Sequence, residues 1–391
     1  NVRLEKVNKT VAWGRGVELL RPSPERLEPG CPVFGRCGGC QFRHMTYDEE
    51  LRAKGQRIAD ALERVGGVRL ELPPVLGAEK PDRYRNKVQF PVDRAEDRVR
   101  AGYYRARSHQ VLEVEDCLLQ PERVSRLQRA FEEWAAHLPS EYHMEGRFVV
   151  RHLYVRTNSR GEALVCVVAW KPVLPGADRL VSALRECEPG VVGVVLNVNP
   201  ADTNVILGPE YHTLWGRDYL EEELCAYTFR LSVPSFFQIN RAQTERLYAV
   251  ALDFAALTGR ETVLDLYCGI GTISLALSRR AAKVIGAEIV PQAIQDAREN
   301  ARRNGVENTE FFCGDAGAVA ARLSGEGVRP QVICVDPPRK GLQPEVPAIL
   351  AGMAPERIVY VSCDPATLAR DVRRFGELGY RAVKAQGVDL F

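Results

Sequence analysis

Between residues 46 and 65, TYDEELRAKGQRIADALERV, the apolar residues Leu51, Ile58, Leu62 and Val65 fall at helical spacing. They predict one amphipathic helix, ended by Gly66 and Gly67. Residues 241 to 258 predict another, with Leu247, Val250, Ala251 and Phe254 on one face and Gly259 at the end. From about 75 to 215 the pattern is mostly short strands, among them EALVCVVAW and GVVGVVLNVN, with helices near 121 to 137 and 177 to 187. The first thirty residues predict a strand or two and a proline-punctuated exit. After residue 240 the rhythm becomes regular. TVLDL, KVIGAE, TEFFCG, QVICVD and RIVYVS read as strands, and helices begin near Thr272, Pro291, Ala316, Pro344 and Pro365. Such alternation predicts an α/β unit: a parallel sheet with helices on both faces.

Composition narrows the class only a little. A chain of 391 residues holds two or three domains, and 45% apolar with 27% charged residues is ordinary for a soluble globular protein. The net charge of +2 does not mark a polyanion binder, but its distribution is uneven. Between Arg83 and Arg107 eight Lys/Arg face three Asp/Glu, with Tyr84, Phe90, Tyr103 and Tyr104 interleaved. Such a segment suits a nucleic-acid backbone with stacked bases, or equally a solvated face of a twisted antiparallel sheet. No apolar run approaches the ~18 residues of a membrane span. No signal peptide is visible in a chain that begins with Asn1. Eleven cysteines do not pair evenly, and Cys166, Cys268, Cys313 and Cys334 lie in apolar or glycine-rich surroundings. Reduced thiols in a cytoplasmic protein are the expectation.

Ligands of open parallel sheets bind at the carboxyl ends of the strands. Here Asp265 follows the first strand, in VLDLYCGIGT, where Gly269 and Gly271 let the backbone approach a ligand. Glu288 ends the second strand, Asp315 follows the third, Asp336 ends the fourth and Cys363 follows the fifth. One Asp after a strand is more often a helix cap. The serial placement favours ligand contact for Asp265, Glu288 and Asp336 and leaves Asp315 open. Far upstream, CPVFGRCGGC brings Cys31, Cys37 and Cys40 within ten residues, with Gly38 and Gly39 permitting a tight turn. Three thiolates need a fourth ligand, and Cys117 in VLEVEDCLLQ is the natural one. Spacing alone leaves zinc and an iron–sulfur cluster both open.

VLDLYCGIGTISLAL followed by GAEI resembles the S-adenosylmethionine site of Rossmann-like methyltransferases. PSFFQIN, DLYCGIGT, DPPRKGL and VSCDPATLARD together resemble the RNA uracil-5-methyltransferases, and the cysteine cluster resembles their iron–sulfur-containing branch acting on 23S ribosomal RNA. The resemblance covers about residue 10 to the end. It implies Cys363 as the nucleophile that adds to C6 of uracil, and Gln238, Tyr267, Glu288 and Asp336 as contacts of S-adenosylmethionine. Thr272 and Asp315 occupy positions that touch the cofactor in some members. Cys31, Cys37, Cys40 and Cys117 would hold a 4Fe–4S cluster, zinc being the lesser reading. The implied organisation is a remnant of a TRAM-like β-barrel over 1–26, a mostly β central domain over 27–225 and a catalytic domain over 226–391. Helix 46–65 is a candidate to pack on that last domain. The family pattern continues past GVDLF with a His- and Glu-containing motif whose Glu is the expected base, beyond Phe391. A cytoplasmic monomer acting on 23S rRNA, with no membrane partner, is the expectation. The alternatives are the tRNA-modifying relative, which lacks the cysteines, and an amino-group methyltransferase, whose DPP motif ends in an aromatic where this chain has Arg339. A non-catalytic RNA-binding protein that retains the fold is the third.

Overall fold

A computed structural model describes residues 1–95, 98–138, 143–144 and 147–391. Two acids of the basic segment, Glu96 and Asp97, lie outside the described residues. The chain opens with an antiparallel hairpin of Val2–Val7 and Ala12–Gly16, whose residues are all exposed.

The central region is built on a six-stranded mixed sheet. Its spatial order is Glu210–Gly216, Val191–Val198, Ala163–Ala169, Val150–Thr157, Lys87–Ala95, Arg98–Ala101. The run at 163–169 is apolar throughout because both its faces are covered. Side chains alternate in strands. Ala163, Val165 and Val167 therefore enter a core under the helices Glu122–Ala136 and Ala177–Cys187. Leu164, Cys166 and Val168 face the other way, onto Leu220 and Val233. The pairing of 163–169 with 191–198 is parallel, closed by the crossover helix Ala177–Cys187.

The C-terminal sheet has five parallel strands: β1 (Thr262–Leu266), β2 (Lys283–Glu288), β3 (Thr309–Cys313), β4 (Val332–Val335) and β5 (Arg357–Tyr360). Their order is β3-β2-β1-β4-β5. Alternation again splits the sheet between two cores: Val263, Val284 and Cys334 on one face, Leu264, Leu266, Ile285 and Val335 on the other. The order reverses at β1, so the crevice between β1 and β4 is the switch point where such sheets hold ligands.

The sequence pattern errs at element ends. Helix Tyr47–Arg64 stops before Val65, which is 42% exposed and outside the buried stripe. The helix predicted over 241–258 is Arg241–Ala255, terminated by Ala256 in the left-handed conformation. Its buried face is Gln243, Thr244, Tyr248, Ala251 and Ala255, with Leu247 and Phe254 half-buried against the same core. The helix expected from Pro344 begins at Val346. Cys313, expected in apolar surroundings, is exposed on the edge strand β3, while all eleven cysteines are free.

Helix Tyr47–Arg64 packs on helix Pro365–Glu377 of the catalytic unit. The last residues reinforce that join. Val388 bridges Leu76 in parallel, and the amides of Leu76 and Asp389 bond Gly387 and Leu76 at 2.9 and 3.0 Å. The nearly buried Asp389 accepts from the Tyr47 hydroxyl at 2.6 Å and pairs with Lys54, which also meets Glu50 at 2.7 Å. Removing this acceptor strands a phenol and part of an ammonium charge away from water. Asp389→Ala should therefore lower stability by about 2 kcal/mol and Tyr47→Phe by less. Urea midpoints measure this, and an unchanged midpoint in Asp389→Ala would discard the account.

Candidate active site at the strand ends

Asp265, at the end of β1, is fully buried. The Ser274 hydroxyl donates to its Oδ2, whereas Oδ1 has no partner in this structure. Burial first, then Asp336 and Glu288, push its carboxyl up to about 7, against the Ser274 hydrogen bond. Asp336 follows β4, and its amide donates to the Leu266 carbonyl at 3.3 Å, which places it beside Asp265 across the switch point. Burial raises its carboxyl to about 6. The Glu288 carboxylate accepts from the amides of Gly269 at 3.3 Å and Val290 at 2.9 Å, so it shapes the loop after β1 from the end of β2. Gly271 closes that loop at φ +85°, and a Cβ there would sit 3.3 Å from Ala297, Leu275 and Phe311.

Tyr267 keeps a left-handed backbone, φ +65°, a strain of about 1–2 kcal/mol for a non-glycine residue. Its hydroxyl is raised to about 12, by burial and then by Asp315, Asp371, Glu345 and Glu288. It therefore lies in the field of these four acids. Thr272 accepts or donates one hydrogen bond, 2.7 Å, with Tyr248, a buried residue that also feels Asp336 and Asp265. Sequence reasoning missed Tyr248, because an aromatic on a helix face reads as core. Asp315 serves as the cap of the helix Ala316–Gly325, accepting from the Ala318 amide at 3.1 Å.

Cys363 is exposed, one strand over from Asp336 and just before the helix Pro365–Glu377. Asp364 caps that helix by accepting from Ala366 and Thr367 at 2.8 and 3.0 Å. The fully buried Asp371 of the same helix accepts from the Leu342 amide at 2.8 Å and the Tyr360 hydroxyl at 2.9 Å. Arg370, bonded to Asp371, also donates to the carbonyls of Lys340 and Leu342. A Cβ at Gly341 would lie 2.5 Å from both Arg370 and Asp371, so this loop tolerates no side chain there. DPPRKGL and VSCDPATLARD are thus one assembly. Asp371 lay within the quoted motif, yet its clamping role has no signature in spacing. Gln238 is not joined to the acid row; its carbonyl is held by the Asn86 side chain at 2.9 Å, while the Asn86 amide bonds Ile239 at 3.0 Å.

The four upstream cysteines form a separate set. The Gly39 amide donates to the Cys37 sulfur at 3.4 Å, and Cys37 forms an isolated antiparallel bridge with Arg105. The Cys40 thiol is raised to about 11, by burial and then by Cys117, with Cys37 and Cys31 adding and Arg43 opposing. Burial likewise raises Cys37, and Cys117 and Cys31 contribute. Cys37 and Cys40 therefore both lie in the field of Cys31 and Cys117. Four neighbouring thiols suit, as a donor set, a positively charged group that binds them as thiolates. Among the described residues, however, no group of three or more His, Cys, Asp or Glu is arranged to hold a metal ion. The donor chemistry fits and the closure around a single ion does not.

Residues 46–380 match the family described as tRNA (uracil-5-)-methyltransferase. The chain belongs to that family. A Clostridium tetani protein named as an uncharacterized RNA methyltransferase is 43% identical over 393 residues, covering all of this chain and 85% of its own length. A Halalkalibacterium halodurans protein of like name is also 43% identical, with 86% of its length covered. The chain is thus an enzyme of an RNA methyltransferase family. The crystal structure of Pyrococcus abyssi tRNA (uracil-54, C5)-methyltransferase in complex with S-adenosyl-L-homocysteine aligns with TM-score 0.76 at 24% identity, over all of this chain and 88% of that one, and shares the fold. No helix among the described residues is long and apolar enough to cross a membrane.

The carboxyls at the switch point of this methyltransferase carry a measurable signature. Asp265 and Asp336 titrate higher in the fold than the ordinary 3.8. Their contribution is most favourable below that value and is lost as the pH climbs to about 7 for Asp265. Asp265→Asn should flatten the fall in stability over that window, read from denaturant midpoints without ligand. A slope equal to that of the wild type would refute the assignment.

Proposed function

We propose that this chain methylates C5 of a uridine in RNA, with S-adenosylmethionine as methyl donor and 23S rRNA as substrate. The observation that carries this reading is the exposed Cys363 thiol one strand over from Asp336, beside a crevice lined by buried carboxyls. When bound, S-adenosylmethionine supplies the methyl group as an electrophilic sulfonium. An acid row suits that cation: Glu288 faces the ribose hydroxyls, Tyr267 packs on the cofactor, and Gln238, Thr272 and Asp336 complete the contacts. Asp315, already engaged as a helix cap, is the weakest member of the set. The Cys363 thiolate adds to C6, and the electrons of the C5–C6 double bond move toward the O4 carbonyl, giving an enolate. C5 of that enolate would take the methyl carbon as the methyl–sulfur bond breaks, its electron pair staying on sulfur and leaving neutral S-adenosylhomocysteine. A base then removes the C5 proton, and the electrons of that C–H bond restore the C5–C6 double bond as the sulfur leaves C6.

The same reading takes Cys31, Cys37, Cys40 and Cys117 as the holders of a 4Fe–4S cluster, with no part in methyl transfer. It treats residues 1–26 as the end of a TRAM-like barrel, 27–225 as the central domain and 226–391 as the catalytic domain of a cytoplasmic monomer. The cysteine set is what favours ribosomal RNA over tRNA. Incubating the protein with labelled S-adenosylmethionine and either 23S rRNA or tRNA transcripts tests substrate and chemistry together. Wild type should form 5-methyluridine in the ribosomal RNA, and Cys363→Ala should lose about a thousandfold or more of that rate. Methylation of tRNA alone would reverse the substrate assignment, and RNA binding without methyl transfer would identify a non-catalytic binder.

A further inference from the structure

Lys87 and Arg156 stand directly opposite each other on antiparallel neighbouring strands of the central sheet. Like charges in that position destabilise a sheet. Arg156 is 2% exposed, and among the described residues its guanidinium donates to neutral acceptors, the Tyr154 hydroxyl at 2.9 Å and the Ser235 carbonyl at 2.5 Å. Arg85 adds a third positive charge close enough to act on Lys87. The loop packed over this strand pair, VPSFFQIN at 233–240, contains no charged residue. No ion pair to Lys87, Arg85 or Arg156 occurs among the described residues. The titratable and charged groups around Lys87 are therefore Arg85 on its own segment, and Arg156 and the buried Tyr154 on the facing strand. Burial first, then Arg156 and Arg85, lower the Lys87 ammonium to about 8. Its nitrogen lies 5.8 Å from the ring centre of Phe236, an aromatic left 62% exposed two residues before Gln238.

Three gathered cations without a counter-charge, beside an exposed aromatic face, are a seat for an anion joined to a planar ring. We propose that Lys87 binds a backbone phosphate of the RNA next to the target uridine, with Phe236 under the adjoining base and Arg156 and Arg85 supplying field from behind. This rests on the reading of the chain as an RNA uracil methyltransferase. The arriving phosphate supplies the missing negative charge, so above about pH 8 Lys87 takes up a proton as RNA binds. The sign follows from the lowered value in the free protein: affinity is full below about pH 8 and falls as the pH rises above it.

Binding of a short single-stranded oligouridylate by fluorescence anisotropy, over a range of salt and pH, tests this. Lys87→Met should weaken binding about tenfold near neutral pH and reduce the salt slope by about one, the signature of one lost phosphate contact. Lys87→Arg, which keeps its charge, should retain affinity while losing the alkaline fall. Calorimetric affinity for S-adenosylmethionine should stay unchanged in both. Unchanged RNA affinity and salt slope in Lys87→Met would overturn the proposal. A selective loss of S-adenosylmethionine binding would overturn it too, by assigning the seat to the cofactor's carboxylate. If wild type forms no 5-methyluridine while the Lys87 effects persist, the catalytic reading fails and the phosphate seat stands.

Discussion

Much of the catalytic unit hangs on the buried carboxylate of Asp371. It receives hydrogen bonds from a loop amide, a tyrosine hydroxyl and two arginines, and it has no exposed surface. A carboxylate taken so far from water is tolerated only where its lone pairs are fully used. Here they are used by the loop after β4 and by the helix that follows Cys363. The consequence is geometric: the acid of the fourth strand end and the thiol of the fifth cannot drift apart without breaking several charge-assisted bonds at once. Preorganisation of this kind is what holds reacting groups in place on otherwise exposed loops.

The neighbouring crevice is built on the opposite principle. Asp265 leaves one carboxylate oxygen unpartnered and sits in the field of two further acids. A fold optimised for stability alone would place an apolar residue or a paired charge there. The arrangement makes sense when a cation with its own donors enters, because the same fields that raise Asp265 and Asp336 then become attractive. Asp371 and Asp265 are both buried, yet one is saturated and positions other groups while the other is left wanting. That contrast distinguishes an acid that positions other groups from one with unused hydrogen-bonding capacity more clearly than burial does.

The alternation of strands and helices after residue 240, and the acids and thiol at five strand ends, were legible because each is a local pattern set by strand period and turn position. So was the mixed texture before residue 215, though not the parallel pairing of 163–169 with 191–198, which depends on where a crossover helix lands. Helix ends moved by a few residues wherever backbone conformation decided them, as at Ala256. Tyr248, Asp371 and the Lys87–Arg156 pair escaped the reading for a shared reason. Their significance lies in a partner 24, 29 or 69 positions away in sequence, and no periodicity reports such a partner. Asp315 caps its helix through the Ala318 amide and also accepts from the Gln343 side chain at 3.5 Å.

Two clusters of like charge stand out among the described residues. Acids collect at the ends of β1, β2 and β4, and bases collect on the strand pair of Lys87 and Arg156. The segment 233–240 lies between, carrying no charge of its own. Asn86, next to Lys87, grips its last residues through Gln238 and Ile239. Asn240 then caps the helix Arg241–Ala255 by accepting from the Gln243 amide. That helix carries Tyr248 to Thr272 at the crevice. A nucleotide held by its phosphate at one end of this bridge therefore has its distance to the acid row fixed by hydrogen bonds and a helix rather than by side-chain reach. A reaction between a polyanion and a sulfonium cation needs this separation: each reactant meets a field of opposite sign, and the neutral aromatic segment between them is where a flat, uncharged base can lie.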